Sequence, residues 1–502
     1  MTHRQRMAAF LGSLLALLLA ALDQTVVSTA LPRIAADLHG FSDFSWVVTA
    51  YLLTSTATVP LYGKLSDLYG RRRLFVLSIV IFLAGSALCG VATSMTQLTL
   101  FRALQGLGAG GLFPLTLIAI GDLFSPRERG RYQGYVGSVW AVASVGGPLL
   151  GGVFTDDVSW RWIFWINLPI GALALFVIWT QWHVPFERRE HRVDYVGAAM
   201  LTSSVTCLLL VAAWGGTTYP WGSWEVVGAA VAAVSTLAFF LVSERHANEP
   251  ILPLRLFRLH TMAVANGAAF LLGAALFAVI IYVPLFAQGV LGYSATLSGV
   301  LVIPLNFAWI AASTLAGRAI TRTGRYRIFP VVGTPLAVIG VVLFSRLRAS
   351  SSGWELAADT IVFGAGMGLT VQTYVVALQN AVPRADLGVA TATNQFFRQI
   401  GGALAVAAFG TLLASRLGTE LARRSVHGVS PQTLLRSPSA AHRLSPAVVH
   451  DVHAALAGAL QWVFLATVPL GAAAVVAAFL LREQPLHTES HLELPAELTG
   501  TG

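Results

Sequence analysis

The sequence predicts an all-α polytopic membrane protein with fourteen spans, and three observations support this fold class. Of its 502 residues, 56% are hydrophobic and 11% are charged, with a mean hydropathy of +0.70, whereas about a quarter of the residues in a soluble protein are charged. Apolar stretches of about 20 residues, the length that crosses a bilayer, recur along the whole chain. Basic residues are concentrated in alternate short loops between these stretches, as expected for cytoplasmic loops.

The predicted spans fall into three groups. The first six lie near residues 7–30, 44–62, 74–92, 97–120, 132–154 and 162–181. Two central spans lie near 194–213 and 224–243, and the last six lie near 262–286, 296–316, 328–345, 354–378, 388–414 and 456–481. The first stretch follows two arginines, as a signal peptide would, but it runs past signal-peptide length, so we expect an uncleaved first helix.

The loop charges orient the chain in the membrane. With the N-terminus inside, the predicted cytoplasmic segments hold 21 of the 32 Lys and Arg residues, and the outside segments hold nine. Five of those nine lie in the segment 415–455, and long loops follow the positive-inside rule poorly. We therefore expect a multi-pass protein of the cell membrane (inner or plasma membrane) with both termini in the cytoplasm.

Charge, cysteine content and motifs exclude several functional classes. The net charge of +9 suits anionic lipid headgroups rather than nucleic acid, because the basic residues lie in short loops beside apolar spans. Cys89 and Cys207 lie inside apolar stretches, so no disulfide framework is predicted. Lys64 is the single lysine, and no Gly-x-x-x-x-Gly-Lys-Ser/Thr, His-Glu-x-x-His or Gly-x-Ser-x-Gly motif is present. We expect no metal site and no catalytic site.

Two loops resemble each other and indicate an internal repeat. "GKLSDLYGRRR" (63–73) and "GRAITRTGRYR" (317–327) share two glycines and an arginine at the same offsets. Each follows the second span of an outer group of six, and repeated halves around a central site are typical of secondary transporters. The predicted domains are a six-helix bundle at 1–181, a two-helix insert with cytoplasmic linkers at 182–260, a six-helix bundle at 261–482 that includes an extracellular loop at 415–455, and a cytoplasmic tail at 483–502.

Six segments lie in order on the predicted spans and loops. They are "LDQTVVSTALP" (22–32), "GKLSDLYGRRR" (63–73), "RALQGLGAGG" (102–111), "GGPLLGG" (146–152), "WRWIFWINLPIG" (160–171) and "NQFFRQIGG" (394–402). They resemble the major facilitator superfamily, and within it the fourteen-span drug:proton antiporters of the multidrug efflux type. Ser28 replaces the usual Asn of the first segment, and Leu68 replaces a common Arg of the second. The resemblance implies two pseudo-symmetric six-helix bundles of the major facilitator fold plus two additional central transmembrane helices.

Three isolated charges lie inside predicted spans at similar depth. At about 1.5 Å per residue, Asp23, Arg102 and Asp359 each lie about 8 Å below the outer surface of a ~30 Å core. A carboxylate there costs roughly 2.5–3.5 kcal/mol. In the family's fold their helices line the central cavity, so we expect Asp23, paired with Arg102, to couple protons, with Asp359 as the next candidate. The alternatives are a static ion pair for the first two and simple contact with the outer interface for Asp359.

A deeper cation, Arg398, lies near the middle of its predicted span. Its segment resembles a family motif, and we expect it to bond to backbone carbonyls rather than to take part in transport.

A charge cluster is predicted at the cytoplasmic ends of the helices. Asp67 and Arg71 are four residues apart and neighbours on a helix, and Asp122 ends the fourth span on the same side. By resemblance, the three residues form a latch against the helix that begins near Gly388, whose N-terminal dipole favours a carboxylate. The second loop copy has Thr321 where Asp67 stands, so we expect a one-sided latch. Plain positive-inside topology is the alternative, but it leaves Asp67 unexplained.

Gly147, Pro148 and Gly151 in the fifth span predict a helix bend. Proline removes a helix hydrogen bond, and glycine allows close approach of backbones. The resemblance implies a bend that shapes the cavity and prevents proton leak, while ordinary helix packing is the alternative.

The sequence thus predicts a transporter rather than an enzyme. The resemblance implies a functional monomer in contact with membrane lipids that exports amphipathic small molecules in exchange for protons, with the proton gradient as energy source and no cofactor. One alternative is a dedicated exporter of a lipid, a siderophore or a self-made antibiotic, and a membrane enzyme or sensor is a third reading. Apolar cavities with few polar groups accept many shapes, so the substrate stays open.

Overall fold

The described chain is built from helices, most of them long enough to cross a membrane. The computed structural model describes residues 2–38, 44–182, 194–216, 218–247, 249–424 and 446–486. The α-helices are α1 (His3–Asp37), α2 (Phe44–Tyr69), α3 (Arg71–Gly90), α4 (Met95–Leu123), α5 (Pro126–Val153), α6 (Trp162–Trp165), α7 (Asn167–Gln181), α8 (Tyr195–Trp214), α9 (Trp224–His246), α10 (His260–Gly289), α11 (Ala295–Val300), α12 (Ile303–Thr323), α13 (Ile328–Phe344), α14 (Gly353–Ala381), α15 (Leu387–Arg423) and α16 (Pro446–Leu480). A π-helical segment, Phe154–Val158, follows α5, and 3₁₀ turns at Leu254–Arg258 and Arg384–Asp386 precede α10 and α15.

The predicted all-α polytopic class is confirmed. Twelve described helical segments are long and apolar enough to cross a membrane, and α13 is equally apolar but only 17 residues long. Every predicted span coincides with a helix, with α6 and α7 together forming the sixth span and α11 and α12 the tenth. Because α2 is not among the twelve, the count of fourteen spans stays a prediction.

Some helices run past their predicted ends. The first helix has 35 residues and α15 has 37, about 52 and 55 Å at 1.5 Å per residue, so both exceed a ~30 Å hydrocarbon core. Because α15 continues to Arg423 and α16 begins at Pro446, both ends of the predicted 415–455 loop are helical. Residues 425–445 lie outside the described part of the chain.

The internal repeat seen in the two loops extends to the packing of the helices. Three alternate glycines in each of α4 and α14 have equivalent neighbours, the outer two against α2 or α12 and the middle one against α3 or α13. These glycines are Gly106, Gly108 and Gly110 in α4 and Gly364, Gly366 and Gly368 in α14. A Cβ on the middle glycine would lie 2.4 Å from the Phe82 backbone nitrogen in one half and 2.3 Å from the Ala337 backbone nitrogen in the other. Side chains larger than hydrogen would therefore separate the helices.

The same two helices also begin alike. Ser94 and Ser352 are their N-caps, and each serine hydroxyl accepts the backbone N–H three residues on at 3.2 Å.

Apolar side chains form a separate core in each half. One core lies within α10–α16. The other lies within α1–α7, and Val375 and Leu387 of the second half join it. The two halves are thus in direct apolar contact where α14 ends and α15 begins.

The two central helices pack along a seam between the halves. The pair α8 and α9 pack on each other, and α8 also contacts α2 and α15. The linker after α9 is held by two ion pairs: Lys64 lies 2.8 Å from Glu249, and Arg255 donates to both carboxylate oxygens of Asp386 at 2.9 and 3.0 Å. The linker is therefore tied to α2 on one side and to the start of α15 on the other.

Candidate functional site

A fully buried ion pair lies inside the first half. Arg102 Nη1 donates to Asp23 Oδ2 at 2.5 Å, and the two side chains are 2% and 0% exposed. Gln105 Nε2 and Asn167 Nδ2 donate to Asp23 Oδ1 at 2.8 and 3.3 Å. Both amides also donate to Ser86 Oγ, at 3.2 and 3.0 Å. Each carboxylate oxygen thus accepts at least one hydrogen bond, so the buried carboxylate is both paired and hydrogen-bonded.

Four helices contribute to this cluster. Asp23 is on α1, Arg102 and Gln105 are one turn apart on α4, Ser86 is on α3, and Asn167 is the first residue of α7. The structure brings the predicted pair together, whereas its coupling role stays a prediction. Sequence reasoning missed the three polar partners. Gln105 and Asn167 lie in the quoted segments "RALQGLGAGG" and "WRWIFWINLPIG", which were the available signal, while Ser86 lies in no such segment.

The third predicted charge, Asp359, lies apart from this cluster. It is on α14 in the second half, 7% exposed, with the like-charged Glu355 one helical turn earlier. None of the hydrogen bonds or ion pairs in the described part of the chain joins Asp359 to Asp23 or Arg102. The structure therefore does not gather the three predicted charges, because α14 packs on α12 and α13 rather than on α1.

A cavity of about 630 Å³ lies between the two halves. It is lined by α1, α2, α4 and α5 from the first half, by α10, α12, α14 and α15 from the second, and by α8. Most of its walls are apolar or aromatic, as is common in small-molecule sites of this size. Its amide and charged side chains are Gln24, Asn306, Gln372, Gln395, Arg398 and Gln399.

The ion pair lies beside this cavity rather than in its lining. Gln24 and Thr25, which follow Asp23 on α1, line the cavity, and so does Tyr51. The guanidinium of Arg102 stacks 4.1 Å from the centre of the Tyr51 ring. The helices of Asp23, Arg102 and Asp359 therefore do line the cavity, as expected, but Tyr51 and the α1 backbone stand between the ion pair and the cavity.

Arg398 lines the cavity. Its Nη2 donates to the Gln395 side-chain oxygen, and its guanidinium lies 5.4 Å from the centre of the Phe113 ring. The expected bonds to backbone carbonyls are not among its described hydrogen bonds, so that expectation was wrong. A different arginine, Arg129 on α5, is held in this way, with bonds to three carbonyl oxygens at 2.6–3.3 Å.

The predicted charge cluster is present at the end of the bundle where α2 meets α3, the α2–α3 end. Arg71 lies 2.8 Å from Asp67 and 2.6 Å from Asp122. The two carboxylate oxygens of Asp67 accept the backbone N–H groups of Gly388 and Val389 at 3.1 and 2.9 Å. These N–H groups open α15, where the helix dipole favours an anion. The cluster joins α2 and α4 of one half to α15 of the other.

Gly388 is required for this contact. A Cβ at Gly388 would lie 2.5 Å from Asp67 Oδ1, so any larger residue would push the carboxylate away from the helix N-terminus. Gly63, at the start of the loop motif, packs one turn further along, where a Cβ would lie 2.4 Å from the Ala392 Cβ.

The second loop copy also meets the opposite half, but through its backbone. Arg127 in the first turn of α5 donates to the carbonyl oxygens of Thr321 and Arg322 at 2.6 and 2.9 Å. Gly317 packs so closely that a Cβ there would lie 2.1 Å from the Gly130 carbonyl oxygen. The carboxylate cluster is therefore one-sided, as expected, and its role as a latch stays a prediction. The first seam, between α2 and α15, is closed by the carboxylate of Asp67. The second seam, between α5 and α12, is closed by the backbone contacts of Arg127 and Gly317.

Gln379 of α14 connects the halves between the two seams. Its Nε2 donates to the Leu117 carbonyl oxygen at 3.1 Å, its side-chain oxygen accepts from Gln133 at 3.2 Å, and its backbone carbonyl accepts from Arg129 at 3.2 Å. All of these atoms are buried. The α2–α3 end is thus closed across its width, and the cavity lies nearer the middle and the opposite end.

The glycine-rich segment of α5 packs tightly on α1. A Cβ at Gly147 would lie 2.1 Å from Thr25 Oγ1, and that hydroxyl donates to the Ala143 carbonyl oxygen at 3.0 Å. Gly151 is buried, and α5 stays α-helical to Val153 before the π-helical segment begins. The side chain of Pro148 lies outside the described part of the structure. The close approach is present, whereas the bend stays a prediction.

Several known proteins with related sequences or the same architecture are transporters. The family described as Major Facilitator Superfamily matches residues 13–406. Two uncharacterized MFS-type transporters of Mycobacterium tuberculosis are 40% identical over 97% of this chain and 71% of their own length. Multidrug resistance protein 3 of Bacillus subtilis is 36% identical over 94% of both chains, and the multidrug transporter protein MdtP of the same organism is 38% identical over 83% of this chain and 76% of its own.

Solved structures agree at the level of the fold. The proton:xylose symporter XylE superposes with a TM-score of 0.64 over 98% of this chain and 99% of that chain, at 14% identity. The human organic anion transporter MFSD10 superposes with a TM-score of 0.61 over 93% and 99% of the two chains, at 16% identity. Sequence, helix packing and fold therefore agree that this chain belongs to the Major Facilitator Superfamily and is a multi-pass membrane transporter, not an enzyme.

Proposed function

We propose that the protein is a proton-coupled exporter of amphipathic drugs or natural products that works by alternating access. Two relatives in Bacillus subtilis are named multidrug transporter protein MdtP and multidrug resistance protein 3, which supports efflux. The short loops at the α2–α3 end carry most of the basic residues, so we assign that end, and both termini, to the cytoplasm of a cell in whose plasma membrane the protein resides. In this assignment the described conformation is closed to the cytoplasm, and the cavity lies toward the outside.

The observation that carries the proposal is the buried Asp23–Arg102 pair beside the cavity. A carboxylate this deep is costly, and protonating it would leave Arg102 without its counter-ion. A proton can therefore bind to Asp23 only as the contact between α1 and α4 changes. That requirement would couple proton binding to a rearrangement of helices that form the cavity wall.

In this proposal a substrate in the cavity affects the Asp23–Arg102 pair through the cavity wall. Gln24 and Thr25 face the cavity from the helical turn that carries Asp23, and Tyr51 separates the cavity from Arg102. A substrate that displaces the Tyr51 ring would admit water to the pair. Direct competition between substrate and proton for the carboxylate is not available in this conformation, because Asp23 does not line the cavity. One chain contains both halves, so the proposed working unit is a monomer in the lipid bilayer.

The experiment that tests this function is proton release from purified protein on addition of an amphipathic compound to which the protein confers resistance. The wild type should release protons, and Asp23→Asn should not. Asp359→Asn is the matched control, because it removes a buried acid that does not line the cavity and has no described bond to the pair. Normal release by Asp23→Asn would refute the assignment, and loss of release in Asp359→Asn alone would place coupling on α14.

A resistance profile in a drug-sensitive host separates broad from dedicated export. Resistance to several unrelated amphipathic compounds would support multidrug efflux. Resistance to a single compound would favour a dedicated exporter.

A further inference from the structure

The charge inside the cavity is positive. Among the described residues that line the cavity, Arg398 is the only charged side chain. It lies on α15 at the second half's wall, and its residue surface is 8% exposed. A guanidinium stays protonated in proteins, so the cavity holds a permanent cation.

This cation has no counter-ion in the described part of the chain. The ion pairs there include Arg102 with Asp23 and Arg71 with two carboxylates, but none includes Arg398. The described interactions of its guanidinium are one hydrogen bond to the Gln395 side chain and a contact with the Phe113 ring. A guanidinium has five N–H donors, so most of the donors of Arg398 are available to a molecule in the cavity.

Amides with unmet hydrogen-bonding capacity line the same cavity. The side-chain oxygens of Gln372 and Gln399 are buried and have no partner among the described residues. Rotation of an amide exchanges its oxygen for its NH₂ group, so either residue can also donate to a guest. The cavity thus combines one guanidinium and several amides with apolar walls that include Trp140 and Trp309.

Asp23, the buried carboxylate beside the cavity, cannot serve a cationic guest in this conformation. Asp23 is 1% exposed, its oxygens accept bonds from three side chains, and it does not line the cavity. A cation entering the cavity would meet Arg398 without a compensating acid. An anion would supply the missing counter-ion and form charge-assisted bonds of the kind that guanidinium groups favour.

We propose that Arg398 determines specificity and that the cavity takes amphipathic anions, compounds with an apolar body and a carboxylate, sulfonate or phenolate group. This inference rests on the proposed function, because it takes the cavity to be the substrate site. It narrows the substrate class from amphipathic compounds in general to acidic ones, with the acidic group at Arg398 and the apolar body against the aromatic walls.

The test is equilibrium binding to the purified full chain in lipid nanodiscs, with empty nanodiscs subtracted. The probes are anilinonaphthalenesulfonate and phenylnaphthylamine, which share one ring system and differ by the sulfonate. The wild type should bind the sulfonate at least about ten-fold more tightly. Arg398→Gln should abolish that preference and leave phenylnaphthylamine binding unchanged, while Arg398→Lys should keep much of it.

Arg416→Gln is the matched control. Arg416 lies on the same helix, stacks 4.0 Å from the centre of the Trp462 ring, and does not line the cavity. This variant loses the same charge and should keep the wild-type preference for the sulfonate.

Several outcomes would overturn the proposal. The first is a wild type that binds phenylnaphthylamine or ethidium more tightly than the sulfonate. The others are an Arg398→Gln variant that keeps the preference for the sulfonate, and one that loses affinity equally for both probes. The wild-type comparison decides the matter even if Arg398→Gln fails to fold. Binding needs no proton gradient, so failure of proton release with an intact Arg398-dependent preference would refute the coupling but not this inference.

Discussion

Asp67→Asn should weaken the closure of the α2–α3 end, which we assign to the cytoplasm, while leaving the fold intact. The carboxylate accepts two backbone N–H groups of α15 and lies 2.8 Å from Arg71. Asparagine keeps one acceptor oxygen and turns an NH₂ group toward donors, so at least one charge-assisted bond and the favourable interaction with the helix N-terminus are lost. The side chains of Asp67 and Arg71 are only 5% and 12% exposed, so solvent screening is small.

The expected magnitude follows from these contacts. A hydrogen bond to a charged group contributes about 1.5–3 kcal/mol, and an anion at a helix N-terminus about 0.3–1 kcal/mol. The closed state should therefore lose about 2–4 kcal/mol relative to an open state in which Asp67 is hydrated. That corresponds to a roughly 30- to 1000-fold change in the ratio of closed to open molecules.

The assay is labelling of a single cysteine at position 387 by a membrane-impermeant maleimide. Leu387 is fully buried in the seam between the halves, so its labelling reports opening of the cytoplasmic end. The background carries serine at Cys89 and Cys207. Labelling should accelerate in Asp67→Asn, and transport should fall although the protein still reaches the membrane.

The control is Glu249→Gln at the same end. It removes an ion pair with Lys64 that ties the linker to α2 without joining the halves, and a partly exposed pair is worth about 0–1 kcal/mol. Unchanged labelling together with full transport in Asp67→Asn would refute the latch. An equal increase in the labelling rate in both variants would mean that general loosening, and not loss of the Asp67 contact, opens the seam.

Three further predictions test other contacts. Arg127→Gln should open the second seam and raise labelling at position 387 by roughly ten-fold, because it removes both bonds to the last turn of α12; unchanged labelling would contradict this. Gly147→Val should lower the melting temperature, because overpacking against Thr25 costs about 1–3 kcal/mol. Adding Thr25→Ala should recover part of the lost melting temperature. Asp23→Asn should fold but lose up to about 3 kcal/mol, and adding Arg102→Gln should recover part of that loss; additive losses would mean that the pair does not stabilise the fold.

The parts of the fold that depend on local sequence were predictable. Spans follow from apolar length, and each predicted span coincides with a helix. The contacts around Asp67 were also accessible, because Arg71 is one turn away on the sequence and the family motif supplies Asp122. The closure by Arg127 was not, because its acceptors are backbone carbonyls 194 and 195 residues away. Every residue has a backbone carbonyl, so the sequence does not mark which carbonyls accept bonds from the other half. Because Thr321 stands where the first loop has the carboxylate of Asp67, the sequence suggested that the second loop lacks this contact.

The three buried arginines show why the candidate site could be predicted only in part. Arg102 meets a carboxylate, Arg129 meets three backbone carbonyls, and Arg398 meets one amide and a ring. All three are buried, and neither the residue type nor the position along the chain reveals what each one meets. What separates them is the helix that faces each one across the bundle. A buried cation whose donors are satisfied by the protein holds helices together, whereas one that faces a cavity with unmet donors can bind a guest. By that criterion Arg398, and neither of the other two, is the residue through which this cavity recognises what it carries.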